Sequence, residues 1–459
     1  MKETEVDVVI IGAGITGLVT AFNLTQEGKK VVLLEKSDTT GGQMQTVNES
    51  GFVFEAGPNT GVLNNQEVVQ LFERLGNRLQ PETARKESKI RLIWKGKTFH
   101  ALPHGHQMGI TTPLFTFQDK LRICFEPWRS KGTDPMESVG ALSRRRLGKS
   151  FFKYAVDPFV SGVYAGDPDR LVTRFALPKL YNLEQNYGSF IRGAIRLHHS
   201  NKSESEKKVT KQVFSVPGGF GKLAQALTEA ISLENIRLSE GRTKITPSEG
   251  KFRWKTIVQE KGEIIYSNHV ITTVPAYALP ELLPFLEEKT LRAISEMPYA
   301  PVVQVGVGIR RNEAQRVPIA FGGLVPSCEK KDVLGILFPS SCFENRAPKG
   351  GATLSFFLGG RKRPEILYWD DQKITETVKK ALTEMLGFPQ GYQPETLRIF
   401  RHKRAIPQYE TDSETRLETI QALQSNYPGL YLAGGIRDGI GLGDRIRQAT
   451  ALSSHIESC

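Results

Sequence analysis

Residues 6–35 read VDVVIIGAGITGLVTAFNLTQEGKKVVLLE. The opening six residues are a near-continuous apolar, β-branched run, the composition of a strand buried on both faces. Gly12, Gly14 and Gly17 follow at once in a G-x-G-x-x-G spacing, with Ile15 and Thr16 inside it. An amphipathic stretch over 18–26 then runs toward Gly28, which stops a helix. Residues 31–34 make a second strand, and Glu35 stands at its end. Each part has a physical task. Gly12 permits the tight turn, Gly14 lets a pyrophosphate approach the backbone, and Gly17 lets helix pack on strand. The helix N-terminus offers free N–H groups and positive dipole to phosphate. Glu35 lies where a carboxylate accepts from ribose hydroxyls, which favours an adenosine ribose without a 2′-phosphate. The competing reading is a glycine-rich turn in an ordinary βαβ unit. The unbroken order of strand, turn, helix, strand and acid favours a dinucleotide.

A chain of 459 residues buries a large core and predicts two or three domains. A hydrophobic content of 39% fits a soluble globular protein, and no apolar run is long enough to span a bilayer. The motif starts a few residues from Met1, so no signal or transit peptide is expected before it. The 61 Lys and Arg exceed the 49 Asp and Glu to give a formal charge of +12. Beyond solubility, that charge suits an anionic substrate or an anionic lipid surface; no nucleic-acid motif accompanies it. Cys124, Cys328, Cys342 and Cys459 are scattered, with no C-x-x-C, which suits a reducing, cytoplasmic compartment. The adjacent His198 and His199 have no further ligand nearby, so no metal site is expected.

A second glycine-rich passage lies close downstream: GGQMQT at 41–46 and GFVFEAGPN at 51–59. A unit binding only NAD does not require it, whereas a flavin ring extending beyond the pyrophosphate does. Taken together, the two passages resemble the two-dinucleotide-binding-domain flavoproteins, specifically the amine oxidase superfamily. The resemblance implies an α/β architecture. A Rossmann-like FAD-binding domain is expected in three pieces, 1–80, 212–280 and 405–459. A helical insertion is expected over 81–211, facing substrate and membrane, and a mixed-sheet substrate domain over 281–404. Non-covalent FAD is implied, since no cysteine lies in 434–443 to link it. The implied cofactor residues are Gly12, Gly14, Ile15, Thr16, Gly17, Glu35, Lys36, Gly41, Gly42, Gln43, Gly57, Pro58, Asn59, Thr60, Arg242, Gly435, Ile440, Gly441 and Leu442. Arg242 stands three before Ile245, where the superfamily carries a valine whose backbone contacts adenine.

Further along, 68–75 reads as a helix stopped by Gly76, and 90–94 as a strand turning at Gly96 into 99–103. Residues 113–128 mix Leu114, Phe115, Phe117, Leu121, Phe125 and Trp128 with Lys120, Arg122 and Arg129. They read either as a buried amphipathic helix or as a surface that docks on lipid headgroups, such as those of an inner membrane. Residues 198–211 are polar and aperiodic, a mobile loop. Residues 236–238 and 252–258 read as the strands of a hairpin, 269–275 as a buried strand, and 302–309, 335–338 and 352–358 as a second sheet. Residues 369–386 read as a helix. The chain closes with a strand–glycine–helix unit at 431–456, which again aims N–H groups at negative charge.

Several stretches are similar to the oxygen-dependent protoporphyrinogen oxidase family: FVSGVYAGDP at 159–168, LPKL at 177–180, YGSFI at 187–191 and SVPGGFG at 215–221. FGGLVP at 321–326, LGILF at 334–338, NRAP at 345–348 and FFLGG at 356–360 agree. In that family an arginine stands at the start of a strand leading to Leu-Pro, and Arg91 to Pro103 has the thirteen-residue spacing. The resemblance implies that Arg91 pairs with a propionate of a tetrapyrrole, as a guanidinium fork can. A solvated surface arginine is the bland alternative. It also implies that Leu324 and Leu337 sandwich one pyrrole and Phe357 stacks on another, while Ala165-Gly166 lets the macrocycle approach the backbone. Periodicity alone would call those three apolar residues core. Two departures stand out: Gln43 replaces a common Arg or Lys, and Asp412-Ser413 replaces a Gly-His after Tyr409.

The implied reaction is oxidation of a porphyrinogen by FAD, with dioxygen regenerating the flavin, hydrogen peroxide as product and no dedicated acid–base residue. Handover of the product to a chelatase is a further implied partnership. Three alternatives remain open. Coproporphyrinogen carries four propionates that the positive charge would equally suit. Amine oxidases commonly carry a lysine where this chain has Gln304. A non-enzymatic flavin or tetrapyrrole carrier would share the scaffold.

Overall fold

The computed structural model describes residues 2–103, 111–198 and 209–458. The first unit forms as its sequence dictates: β1 (Val8–Ile11), α1 (Ile15–Gln26) and β2 (Val31–Leu34). β1 and β2 are buried throughout. Val8, Ile10, Val31 and Leu33 join the core beneath α1, while Val9, Ile11, Val32 and Leu34 pack on the opposite face. A period-2 strand covered on both sides needs an uninterrupted apolar run, which is what these strands carry.

Three further strands complete a five-stranded parallel sheet in the order Ile236–Arg237, β2, β1, His269–Thr272, Leu430–Leu432. α1 packs against two helices from distant sequence, Gly221–Ile231 and Leu442–Glu457. The nucleotide fold is thus assembled from three separated stretches.

Residues 236–238 do not pair with 252–258 as a hairpin. Ile236–Arg237 lies parallel to β2, and Trp254–Val258 pairs antiparallel with Thr243–Pro247 on one side and Glu263–Ser267 on the other. The open edge of β2 is apolar and buried, so it captures the short Ile236 strand; local sequence does not record that competition.

The second sheet has seven strands in the order Thr396–Pro407, Tyr299–Ile309, Ala352–Gly359, Val333–Leu337, Gly322–Leu324, Arg91–Lys95, Thr98–Ala101. All neighbours are antiparallel except Gly322–Leu324 with Arg91–Lys95. Residues 91–101, which sequence placed in the helical insertion, supply this edge, and Thr396–Pro407 runs past the expected boundary at 404. One face of the sheet is closed by the helix Asp371–Leu386, capped by the Asp370 side chain and stopped by a left-handed Gly387. On the other face, Phe54 and Phe52 of strand Phe52–Glu55 lie over Gly306 and Gly308, filling the space a Cβ would take. That contact seats the second sheet on the nucleotide fold.

The insertion is helical. Its centre is a buried charge cluster: Arg146, fully buried, meets Glu126 and Glu184, and Arg145 bridges Glu137 and Glu184. Leu114 and Phe115 are buried but helix Phe117–Cys124 buries none of its residues, so the reading of 113–128 as a buried amphipathic helix fails over 117–124. Phe117, Leu121, Phe125 and Trp128 are 74%, 43%, 60% and 73% exposed. Among the described residues no helix is long and apolar enough to cross a membrane. Residues 199–208 of the expected loop, His199 included, and Cys459 lie outside the described residues.

Candidate functional site

The glycine turn after β1 has the geometry of a phosphate cradle. Gly12 sits at φ +101°, with the Thr273 hydroxyl 2.8 Å from where a Cβ would be. A Cβ on Gly17 would lie 2.0 Å from the Gly12 carbonyl, so α1 could not pack here with any larger residue. A Cβ on Gly14 would meet nothing within 4 Å: the space above it is open. Gly14 is the extended N-cap of α1 and no side chain caps the helix; the first intrahelical bond runs from Leu18 N–H to Gly14 O. The amides of Ile15, Thr16 and Gly17 therefore face that space without intrahelical partners. Open room and unsatisfied donors at a dipole terminus fit a pyrophosphate.

The Glu35 carboxylate accepts from Ala13 N–H at 2.7 Å and Ser37 N–H at 2.9 Å. These bonds fix its orientation and leave lone pairs for ribose hydroxyls. Lys36 is exposed beside it. The segment after Ile236–Arg237 runs alongside, Glu240 N–H bonding Glu35 O, and Arg242 is exposed two residues on, with its own carbonyl accepting from Gln259 N–H.

The second glycine passage abuts the first. Gly41 bridges Gly14 in parallel and donates to Ala13 O at 2.8 Å; a Cβ on Gly42 would lie 3.2 Å from Gly14 Cα. The Gln43 amide donates to Ala405 O at 3.1 Å, at the end of the substrate-sheet strand, and its carbonyl presses against Gly57. Asn59 accepts from Ser355 at 2.9 Å. Residues 57–60 thus run from the nucleotide fold onto the seven-stranded sheet. The closing helix Leu442–Glu457 starts beside them: Leu442 touches Gly61, and Asn65 donates to Gly443 O at 2.9 Å. Gly435 and Ile440 lie on the loop leading into that helix, whose N-cap is Gly441. Of the predicted cofactor residues, those at 12–17, 41–43 and 57–60 are thus contiguous and the helix that starts at Leu442 stands beside them, whereas Lys36 and Arg242 are exposed.

Beyond that path lies the predicted slot. Strand register puts Gly322 opposite Leu337 and Arg91, Leu324 opposite Gly335 and Ile93, Phe357 opposite Gly335 and Gln304, and Ser355 opposite Leu337. With side chains alternating along each strand, Arg91, Leu324, Leu337, Phe357 and Gln304 share one face. At Gln304 this face turns toward the nucleotide fold, where it meets Glu55, and at Leu324 it turns toward the helical insertion, where Leu324 packs on Gly162. Leu324, Leu337 and Phe357 are each only part-buried. Arg91 lies at the exposed edge with its guanidinium 5.6 Å from the Phe321 ring, and it makes no ion pair among the described residues. Ala165 packs with Phe357, Leu334 and Ile406 at a left-handed φ of +46°, and Arg361 N–H holds its carbonyl at 2.7 Å. Gly166 meets the buried Gln408 amide, which donates to Tyr164 O at 2.9 Å.

Four further residues that were not among the expected binding residues brace this region. Gln304 donates to Glu55 O at 2.6 Å, tying the slot to the strand that leads into residues 57–60. The Glu55 carboxylate accepts from Thr46 hydroxyl at 2.7 Å and Phe220 N–H at 2.9 Å; burial pushes it up to about 7 despite these bonds and the nearby Arg346. Tyr409 is buried and bonds Gly435 O at 3.2 Å and Gly439 O at 3.1 Å, bracing the loop before the closing helix. Arg445 donates into the same loop, to the Gly434 carbonyl and to Arg437 O at 2.5 Å. A lone acid at the end of an apolar strand was the only sequence signal for Glu55. Arg445 had none. Among the described residues no cluster of His, Cys, Asp and Glu could hold a metal.

A family model described as flavin containing amine oxidoreductase matches residues 15–437. The chain is 30% identical to the mitochondrial protoporphyrinogen oxidase of Nicotiana tabacum, over 98% of this chain and 95% of that one. It is 26% identical to the coproporphyrinogen III oxidase of Bacillus subtilis, over 99% and 98%. A crystal structure of a provisionally assigned protoporphyrinogen oxidase from an Exiguobacterium species has the same fold, with a TM-score of 0.80 at 24% identity, over 100% of this chain and 99% of that one.

Proposed function

The chain belongs to the flavin containing amine oxidoreductase family, and from that premise we propose that it oxidises protoporphyrinogen IX to protoporphyrin IX, with dioxygen as the final acceptor and hydrogen peroxide as its reduced product. It is an FAD-dependent oxidase of porphyrin biosynthesis. The observation that carries the finer reading is the shared face of Arg91, Leu324, Leu337 and Phe357, opening where residues 57–60 leave the nucleotide fold.

FAD, when bound, supplies the two-electron acceptor for each step of the oxidation. The chain's own residues bind and orient. Gly12, Gly14 and Gly17, with the α1 amides, hold the pyrophosphate, and Glu35 the ribose. Arg91 receives a propionate at the rim. Leu324 and Leu337 hold one pyrrole between them and Phe357 stacks on another, keeping water from the reacting carbon. Gln304 is uncharged and its amide is engaged by Glu55 O. We assign no residue as acid or base, because electron-rich pyrroles stabilise the positive charge left on the substrate. The proposed division of labour is FAD to 1–80, 212–280 and 405–459, and the tetrapyrrole to the remainder. The exposed apolar stripe on the insertion is proposed as a peripheral contact on the cytoplasmic side of a membrane, from which a chelatase collects the product.

The test is a flavin absorbance spectrum of the purified protein, followed by porphyrin fluorescence, oxygen uptake and peroxide release with each porphyrinogen. A yellow protein that makes no porphyrin from either substrate refutes the proposal. The similarity to the Bacillus subtilis enzyme favours coproporphyrinogen III as the second reading; faster turnover on the four-propionate substrate would select it.

A further inference from the structure

A cavity of about 680 Å³ opens in the helical insertion, outside the slot. It is lined by Gln118, Asp119 and Arg122 of helix Phe117–Cys124, Arg144 of helix Val139–Arg146, and Lys149, Ser150, Lys153 and Tyr154. Four cations face one carboxylate. That carboxylate is engaged locally, since Asp119 accepts from Thr116 N–H at 3.0 Å and Thr116 hydroxyl at 2.7 Å. Arg144 is matched outside the lining by Asp169, at 2.6 and 2.8 Å. Lys149 and Lys153 have no ion pair among the described residues and are exposed. Arg122 has a buried Nε without a hydrogen-bond partner, and its nearest bond is a long 3.4 Å contact to Arg144 O. Part of the wall is a π-helical turn, Phe152–Val156, which carries Lys153 and Tyr154. Such turns are uncommon and recur at functional sites.

The position of the cavity on its helix identifies the ligand. At about 100° per residue, Phe117 and Leu121 fall on one side of the helix, with the C-cap Phe125 continuing it, and Gln118 and Arg122 on the adjoining side with Asp119 beyond them. The apolar side is the exposed stripe, which Trp128 extends. Helix Phe190–His198 packs on the Glu126–Trp128 turn and adds exposed Ile195 and Leu197. An anion in the cavity therefore sits level with an apolar surface rather than in open solvent. We propose that this cavity is a site for the phosphate of an anionic phospholipid, whose acyl chains lie against the stripe. The inference rests on the peripheral-membrane part of the functional proposal and adds its headgroup chemistry. Free phosphate shares that chemistry, but the stripe beside the cavity favours a lipid.

The experiment uses the full-length holoprotein and sedimentation with two kinds of vesicle: phosphatidylcholine alone, and phosphatidylcholine mixed with phosphatidylglycerol. Wild type is expected to bind the mixed vesicles more tightly, and less so as salt is raised. Each lysine near a charged membrane surface is worth about a fivefold change in binding. Lys149→Gln/Lys153→Gln is thus expected to lose roughly 25-fold on mixed vesicles, with little change on phosphatidylcholine and with its flavin spectrum intact. Trp128→Ser is expected to weaken binding to both kinds. If the double variant binds mixed vesicles like wild type, the cavity proposal is overturned while the membrane contact stands. If wild type binds neither vesicle, both fall. If inorganic phosphate raises the melting temperature of wild type but not of the double variant, and vesicles do not bind, the ligand is a soluble phosphate and the lipid proposal is overturned.

Discussion

Replacing Glu55 with glutamine isolates one buried proton. The carboxyl is nearly inaccessible, and burial raises it from an ordinary 4.5 to about 7. Glutamine keeps the shape and still accepts from Phe220 N–H. A raised folded value means that the folded protein holds the proton where the unfolded chain has released it. The resulting stabilisation is complete below 4.5 and is lost as pH rises through about 7. At about 1.4 kcal/mol per decade of proton activity, that interval is worth about 3 kcal/mol. Wild type should therefore lose about 3 kcal/mol relative to Glu55→Gln across this window, whatever the rest of the chain does, because other titrations cancel in the difference. Parallel urea denaturation of the two proteins across the interval, followed by circular dichroism and by flavin release, measures it. A difference between the proteins that does not vary with pH would refute the assignment of the proton to Glu55.

Gly14→Val should leave a folded protein that no longer retains flavin, because its Cβ enters open space, whereas Gly17→Val should prevent folding, because its Cβ would strike the Gly12 carbonyl; circular dichroism and flavin absorbance separate the two. Arg91→Ala should lower kcat/KM for porphyrinogen by roughly 10- to 100-fold, the loss of one charge-assisted contact, mostly through KM; unchanged steady-state constants would remove Arg91 from the site. Glu126→Gln removes one of the two carboxylates that meet fully buried Arg146 and leaves it Glu184, which Arg145 shares, so it should cost about 1–3 kcal/mol of stability, read as a fall in the denaturation midpoint of the protein.

The nucleotide unit was legible because its chemistry is local. Three glycines and an acid at fixed spacing specify a turn, a helix terminus and a ribose partner within one βαβ unit, and the structure places the glycines and Glu35 accordingly. The slot was not legible in that way. Leu324, Leu337 and Phe357 have the periodicity of core residues. What distinguishes them is that glycines stand opposite the two leucines, and register is invisible until the strands are paired. Without family resemblance they would have been assigned to packing. Glu55 and Arg346 were hidden because their partners, Phe220 and Val216, lie more than a hundred residues away. The short strand Ile236–Arg237 was misassigned because its partner was chosen by the free edge of β2 rather than by its neighbours in sequence.

The alternation of leucine and glycine across the slot has a consequence for how substrate range could change. A methyl group added at Gly322 would stand 2.6 Å from the Ile336 carbonyl and 2.8 Å from Leu337; one at Gly335 would stand 3.0 Å from the Gly323 carbonyl. The depth of the groove is therefore fixed by main chain, which cannot step aside as a side chain can. On the proposed function, tolerance for a bulkier or more heavily carboxylated macrocycle has to be gained at the margin, around Arg91, whose side chain is exposed to solvent. Thickness is the fixed dimension of the proposed slot, and perimeter the adjustable one.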